Sequence, residues 1–140
     1  MRKHGERGSS MVEMAIAAGA LLAIILGVVD FGRAMYTYGY VAQLARQGAR
    51  WAIVRGSTCT VIDHCNAGTS DVNTYVQSLA EGMTPANSNG SLSATATWPN
   101  SCKTAGCTVS VSVTYPFKFI GVLPGAVINM SSTSQMVISQ

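Results

Sequence analysis

The feature that most constrains this chain is a long apolar run near its N-terminus. No charged residue occurs between Met14 and Val29. At about 1.5 Å per residue, this stretch is slightly shorter than the roughly 20 residues that cross a bilayer as a helix. The flanking apolar residues lengthen it if Glu13 and Asp30 lie near the two membrane surfaces. The run therefore predicts a membrane-spanning helix with a carboxylate near each end.

Basic residues precede the apolar run, at Arg2, Lys3 and Arg7. The positive-inside rule then places the N-terminus in the cytoplasm and everything after Asp30 outside. A cleaved secretory signal begins with a similar pattern, but the sequence after the run shows no small-x-small cleavage site. We therefore expect the apolar helix to be retained as an anchor.

The helical pattern continues well beyond the predicted membrane segment. No proline occurs before Pro85. Small and apolar residues follow one stripe with a period of 3.6, at Val41, Ala45, Gly48 and Ala52. This period predicts one helix from about 10 to about 54, which ends at the Gly-Ser pair 56–57.

A second helix and three strands are predicted for the rest of the chain. Apolar residues at helical spacing over 71–81 indicate a short helix, with Ser70 as its cap and Gly82 at its end. Apolar and hydroxyl residues then alternate with period 2, which is typical of half-buried antiparallel strands. The three predicted strands are 92–98, 107–115 and, less regularly, 128–138. The predicted fold class is α+β, in which the long helix packs against the short helix and the small sheet.

Four cysteines lie on the predicted external side: Cys59, Cys65, Cys102 and Cys107. An even number of cysteines in an oxidising compartment predicts two disulfides, for which three connectivities are possible. We favour the local pairs, Cys59–Cys65 and Cys102–Cys107, because each closes a short loop. Zinc is the alternative, since His64 adjoins Cys65, but the spacings do not form a Cys-x-x-Cys knuckle. We expect no metal site.

An apolar loop follows the second predicted strand, at 116–125. The loop either folds back onto the small core, or contacts a partner or the membrane surface. The residues that we consider for a subunit contact are Phe117, Phe119, Ile120 and Leu123.

The chain carries few residues of the kinds that catalysis uses, with six acids and two histidines. Asp63 and His64 adjoin, but the sequence places no nucleophile beside them, and it contains neither a glycine-rich phosphate loop nor a paired-carboxylate motif. The formal net charge is only +3, and no basic nucleic-acid surface is evident. We expect no enzyme activity, no cofactor, no nucleic acid and no small-molecule substrate.

The N-terminal region resembles a prepilin peptidase substrate. A basic leader ends at Gly8, a new N-terminus would begin at Ser9, and Glu13 would become the fifth mature residue. This start, the segment Asp30-Phe31-Gly32-Arg33-Ala34 and the segment Ala45-Arg46-Gln47-Gly48-Ala49-Arg50 together resemble the TadE-like family of tight-adherence (Tad) pilus systems. The resemblance is tight over 7–50 and looser over the strand and apolar loop at 111–117. The four-cysteine region lies outside the shared pattern.

The resemblance implies a minor pilin or pseudopilin with a type IV pilin-like fold that contributes to adhesion. Its partners would be other pilin and pseudopilin subunits, a prepilin peptidase and the inner-membrane assembly platform. The protein would begin as a single-pass protein of the bacterial inner membrane with a periplasmic C-terminal domain, and would later reach the pilus or the cell surface. The implied segments are a cleaved leader 1–8, a membrane and assembly helix 9–32, an external continuation 33–56 and an external α+β domain 57–140.

Glu13 has a physical role in this picture. Cleavage after Gly8 frees an amine on Ser9, and the amine of one subunit can neutralise the carboxylate of another. This pairing would offset the cost of about 2.5–3.5 kcal/mol for an acid in the apolar layer. Snorkelling of Glu13 to the cytoplasmic surface is the alternative.

Small residues also recur every four positions along the apolar run, and we call them the small-residue ridge: Ala15, Gly19, Ala23 and Gly27. Such a ridge lets another helix approach closely, although glycine and alanine are common in any membrane helix.

The alternative function is a membrane-tethered binding module that is neither cleaved nor polymerised. We expect Asp30 and Arg33, three residues apart, to form an ordinary interfacial pair.

Overall fold

The structure is a computed structural model that describes residues 6–60, 64–80, 92–121 and 125–139. A single 48-residue helix, α1 (Glu6–Ile53), runs through both predicted halves. It is followed by a short helix, α2 (Thr69–Leu79), and by three strands: β1 (Ser93–Thr97), β2 (Thr108–Lys118) and β3 (Val127–Val137). The α+β class and the long helix, which starts earlier than expected, are confirmed.

The three strands form one antiparallel sheet in the order β1-β2-β3. On the central strand, Val113 pairs with Ala94 of β1 and with Ser132 of β3. Alternate residues of β2 are buried, from Val109 to Phe117. The residues between them are mostly serine and threonine, so the sheet has one core face and one hydroxyl-rich face.

The C-terminal half of α1, which we call the external half after its predicted location, packs on the core face of the sheet and against α2. Its predicted stripe is buried, and Val41 and Ala45 are fully inaccessible to solvent. Gly48 lies where the three layers meet. A Cβ added there would be 2.9 Å from Val76 Cγ2 and 3.2 Å from Val111 Cγ1. The glycine therefore allows α1 to approach both α2 and β2 closely.

Helix α2 covers the outer edge of β1 with polar side chains. Asn73 Oδ1 accepts the backbone N–H of Ala94 at 2.9 Å, and the Thr69 hydroxyl donates to the Ala96 carbonyl at 2.7 Å. An uncovered edge strand presents unpaired backbone groups to other chains. The side chains of α2 satisfy the Ala94 N–H and the Ala96 carbonyl on this edge.

The start of α2 differs from the sequence expectation. The helix begins at Thr69 after an N-cap at Gly68, so Ser70 lies inside the first turn and is not the cap. The Asp71 carboxylate reaches back and accepts the Gly68 N–H at 2.8 Å. An acid at this position satisfies an otherwise unpaired N–H, and its negative charge interacts favourably with the positive end of the helix dipole. Gly82, the predicted end, lies outside the described residues.

Strand β2 is longer than predicted, because Pro116 does not end it. The Phe119 N–H donates to the carbonyl of Ala126, which directly precedes β3. Alternate residues of a strand point their N–H groups to opposite edges, so position 116 faces the β1 side. The pairing of β1 with β2 reaches only Thr114. The N–H that proline lacks is therefore not needed by the ladder, and the strand continues to Lys118.

Two disulfides, Cys59–Cys65 and Cys102–Cys107, close short loops at the end of the domain where α1 finishes. Lys103 joins the two loops. Its carbonyl accepts the Ser57 N–H at 2.9 Å, and its ammonium group donates to the Ala67 carbonyl at 2.9 Å. The cross-links therefore brace the part of the domain farthest from the apolar half of α1.

Candidate assembly helix and its junction with the external domain

The N-terminal half of α1 projects from the α+β domain, which we call the external domain after its predicted location. It is long and apolar enough to cross a membrane, and its most apolar stretch is not buried by any part of the chain that the structure describes. Large apolar side chains such as Ile16, Leu22 and Val28 are exposed along it. An apolar helix with no covering inside the protein fits a single-pass membrane anchor.

The predicted cleavage site and the acidic residue share this exposed helix. Gly8 and Ser9 lie in its first turns, and Glu13 lies four residues after Ser9. Residues four apart on a helix stand on one face, one turn from each other. Cleavage after Gly8 and pairing of Glu13 with an amine remain predictions. Residues 1–5 of the predicted leader lie outside the described residues.

The small-residue ridge is open over most of its length. Ala15, Gly19 and Ala23 are exposed, and a Cβ added at Gly19 would meet nothing within 4 Å. Gly27 is half-buried, and Gly121 approaches α1 at the neighbouring Leu26. The first three positions are therefore available to another helix, and the fourth is partly occupied by the chain itself.

Asp30 joins the anchor to the external domain, which the sequence did not indicate. Its carboxylate is buried, with the residue 5% exposed. Its Oδ2 accepts the Gly121 N–H at 2.8 Å, and its Oδ1 accepts the Ile120 N–H at 3.4 Å. The expected Arg33 pair is also present, at 3.4 Å. The expected pair is therefore confirmed, but it is not the whole role of Asp30, because the carboxylate also binds loop amides 90 and 91 residues away in the chain.

Gly121 is the residue that allows this loop to reach the helix. A Cβ added there would lie 3.0 Å from Asp30 Oδ2 and 3.0 Å from Leu26 Cβ. Few real Cβ atoms have contacts this short, so a larger residue would move the loop away from α1. We call the set of Asp30, Ile120 and Gly121 contacts the Asp30 junction.

The predicted contact residues of the apolar loop have different surroundings. Phe117 is 3% exposed and belongs to the core, so it is not available as a subunit contact, and the alternative of folding back onto the core holds for this residue. Phe119 is half-buried and packs edge-to-face on Phe117, with ring centroids 5.2 Å apart. Ile120 is 69% exposed. Leu123 lies outside the described residues.

An open cleft lies between the end of α1 and α2. The Trp51 ring stacks on Tyr75 with centroids 5.1 Å apart, and the Arg55 guanidinium lies 4.0 Å from the Trp51 ring centroid. His64 also lines the cleft, whereas Asp63 lies outside the described residues. The volume of about 290 Å³ is slightly below the range of about 300–1,000 Å³ that is usual for ligand pockets.

The described part of the chain contains no group of three or more His, Cys, Asp or Glu side chains that would hold a metal ion. The cysteines of that part are all disulfide-bonded, so they are not thiolate ligands.

The fold and the exposed half of α1 together define the class of protein: within the described residues, an α+β domain carried on one candidate membrane helix. The model of the TadE-like protein family matches residues 8–50. The match begins at the predicted cleavage site, covers most of α1 and stops before the first cysteine. It confirms the resemblance over this region, where the chain is similar to a family of Tad pilus-associated proteins. A search of curated proteins and a search of solved structures each gave no match.

Proposed function

We propose that this protein is a minor pilin or pseudopilin, a structural subunit that α1 assembles into a Tad-type pilus or its envelope-spanning machine. The observation that carries the proposal is that the TadE-like match coincides with α1, whose most apolar stretch is not buried by the described part of the protein. In that role the subunit contributes to adhesion and is not a catalyst.

A prepilin peptidase cuts after Gly8 and removes the basic leader 1–8. Before cleavage, the positive charges keep the N-terminus in the cytoplasm and the external domain in the periplasm. After cleavage, α1 is passed to the inner-membrane assembly platform and packs among other pilin and pseudopilin helices. The small-residue ridge supplies a surface of close approach, open at Gly19.

Glu13 recruits the subunit into the assembly through its charge. The carboxylate pairs with the Ser9 amine of a neighbouring subunit, which stabilises an acid that would otherwise be costly in the apolar layer. The same pairing sets the axial register between neighbouring helices.

The test is Glu13→Gln in the full chain, compared with Met14→Leu, a neighbouring change that keeps every charge. We expect the Gln variant to be inserted and cut after Gly8 as usual, but to be recovered poorly with the filament or its base. Mass spectrometry of the N-terminus measures cleavage, and co-purification measures incorporation. Full incorporation of the processed Gln variant would show that the charge pair does not recruit the subunit.

A membrane-tethered binding module is the second candidate, and the aromatic cleft at Trp51 favours it. This alternative expects an uncut Gly8 and a monomeric anchor. It also expects Glu13→Gln to have no harmful effect on the protein, because an uncharged side chain sits in the bilayer at least as well as a charged one. The mass of the mature N-terminus separates the two functions directly.

A further inference from the structure

We propose that Phe119–Gly121, the membrane-proximal loop, is a second membrane contact, and that the Ile120 side chain inserts among the lipid acyl chains of the outer leaflet beside α1. The inference rests on the proposed membrane anchor and extends it from the helix to the external domain. The occupant of this surface is lipid, not a second protein.

The position of the loop along α1 supports this placement. Gly121 approaches Leu26 as well as Asp30, so the loop reaches one turn into the uncharged segment. With Ser9 at the inner surface, Leu26 lies about 26 Å and Asp30 about 32 Å along the helix. The hydrocarbon core of a bilayer is about 30 Å thick. Asp30 then stands at the outer boundary and Leu26 just inside it.

The exposed aromatic residues place the membrane surface at a similar level. Phe31, Tyr36 and Tyr38 are all more than half exposed on α1. Tyrosine is enriched at the headgroup level of membrane proteins, where its ring is in an apolar layer and its hydroxyl group is hydrated. The outer interface therefore falls within the turns that follow Asp30.

The hydrogen bonds of the loop meet the main requirement for irregular backbone at this depth. Backbone N–H groups in an apolar layer need partners within the protein. The N–H groups of Ile120 and Gly121 both donate to the Asp30 carboxylate, which in turn is paired with Arg33. These two N–H groups are therefore satisfied within the protein, and the loop presents an apolar side chain to the membrane.

The side chains of the loop divide between the core and the lipid. Phe119 packs against the core through Phe117, whereas Ile120 is 69% exposed. The exposed Ile120 side chain continues the apolar surface of α1, on which Leu26 and Val29 are also exposed. An isoleucine exposed directly beside a membrane helix is stabilised by lipid in the way that the helix itself is.

The experiment measures lipid contact at Ile120 in the full chain, reconstituted as single copies in lipid nanodiscs. Ile120→Cys carries a nitroxide label, and the native cysteines of the external domain are not labelled because they form disulfides. Relaxation by oxygen, which concentrates in the bilayer, is compared with relaxation by a water-soluble nickel chelate. Val28→Cys is the membrane reference, and Ser131→Cys on the exposed sheet face is the aqueous reference.

We expect the label at Ile120 to behave like the label at Val28, with nickel accessibility about tenfold or more below that at Ser131 because a polar chelate is excluded from hydrocarbon. Nickel accessibility equal to that at Ser131 would overturn the proposal. Shielding from both reagents would also overturn it, since the side chain would then be covered by protein. If Val28 itself is accessible to nickel, the anchor is wrong, and the failure belongs to the proposed function.

Discussion

Asp30→Asn is expected to open the membrane-proximal loop without unfolding the external domain. In the wild type, the carboxylate accepts the Gly121 N–H at 2.8 Å and the Ile120 N–H at 3.4 Å. A hydrogen bond to a charged group contributes about 1.5–3 kcal/mol. The Arg33 pair adds little, because the Arg33 side chain is 44% exposed and partly exposed pairs contribute about 0–1 kcal/mol.

The expected loss in the variant is smaller than the full value of these contacts. Asparagine keeps one oxygen acceptor but loses the charge and the second oxygen, so we expect the loop to be destabilised by about 2 kcal/mol. Since about 1.4 kcal/mol corresponds to a factor of ten, the open population should rise about 30-fold. The global free energy of unfolding should change little, because the loop lies at the edge of the domain and the opening is local.

Amide hydrogen exchange at Ile120 and Gly121 measures this opening. Asp71→Asn is the matched control, because Asp71 accepts the Gly68 N–H at the same distance of 2.8 Å but lies at the start of α2. Each variant should accelerate exchange only at its own site. If exchange at Gly121 stays at the wild-type rate in Asp30→Asn while the control responds at Gly68, the carboxylate does not hold the loop and our reasoning fails.

Three further variants test the core, the cross-links and the assembly helix. Gly48→Ala should lower the free energy of unfolding by about 1–3 kcal/mol through overpacking. Gly39→Ala, where an added Cβ meets nothing within 4 Å, should leave the free energy of unfolding unchanged or raise it by up to about 1 kcal/mol. Urea unfolding compares the two variants, and equal effects would contradict the packing argument. Replacing Cys102 and Cys107 by serine should cost about 2–4 kcal/mol, measured in the same way, and an unchanged midpoint would show that the bridge does not stabilise the domain. Gly19→Leu should insert normally but lose co-purification with other pilin subunits, and recovery at the wild-type level would mean that the ridge is only compositional.

The sequence alone determined the elements whose signal is local. The 3.6-residue stripe from Val41 to Ala52 identified the buried face of α1, and period-2 alternation identified the strands. The uncharged run identified the candidate membrane helix, because a membrane imposes length and composition on consecutive residues. These patterns are readable since each one repeats over neighbouring positions in the chain.

Only the tertiary structure decided the contacts between distant segments. Phe117 became a core residue because β2 continues past a proline whose missing N–H lies beyond the β1 pairing. The carboxylate of Asp30 binds backbone N–H groups 90 and 91 residues away, in addition to the nearby Arg33 that the sequence suggested. A buried carboxylate accepts hydrogen bonds from the N–H groups that the fold brings near it. No local sequence pattern predicts these partners, because they depend on how the sheet places one loop against one turn of the helix.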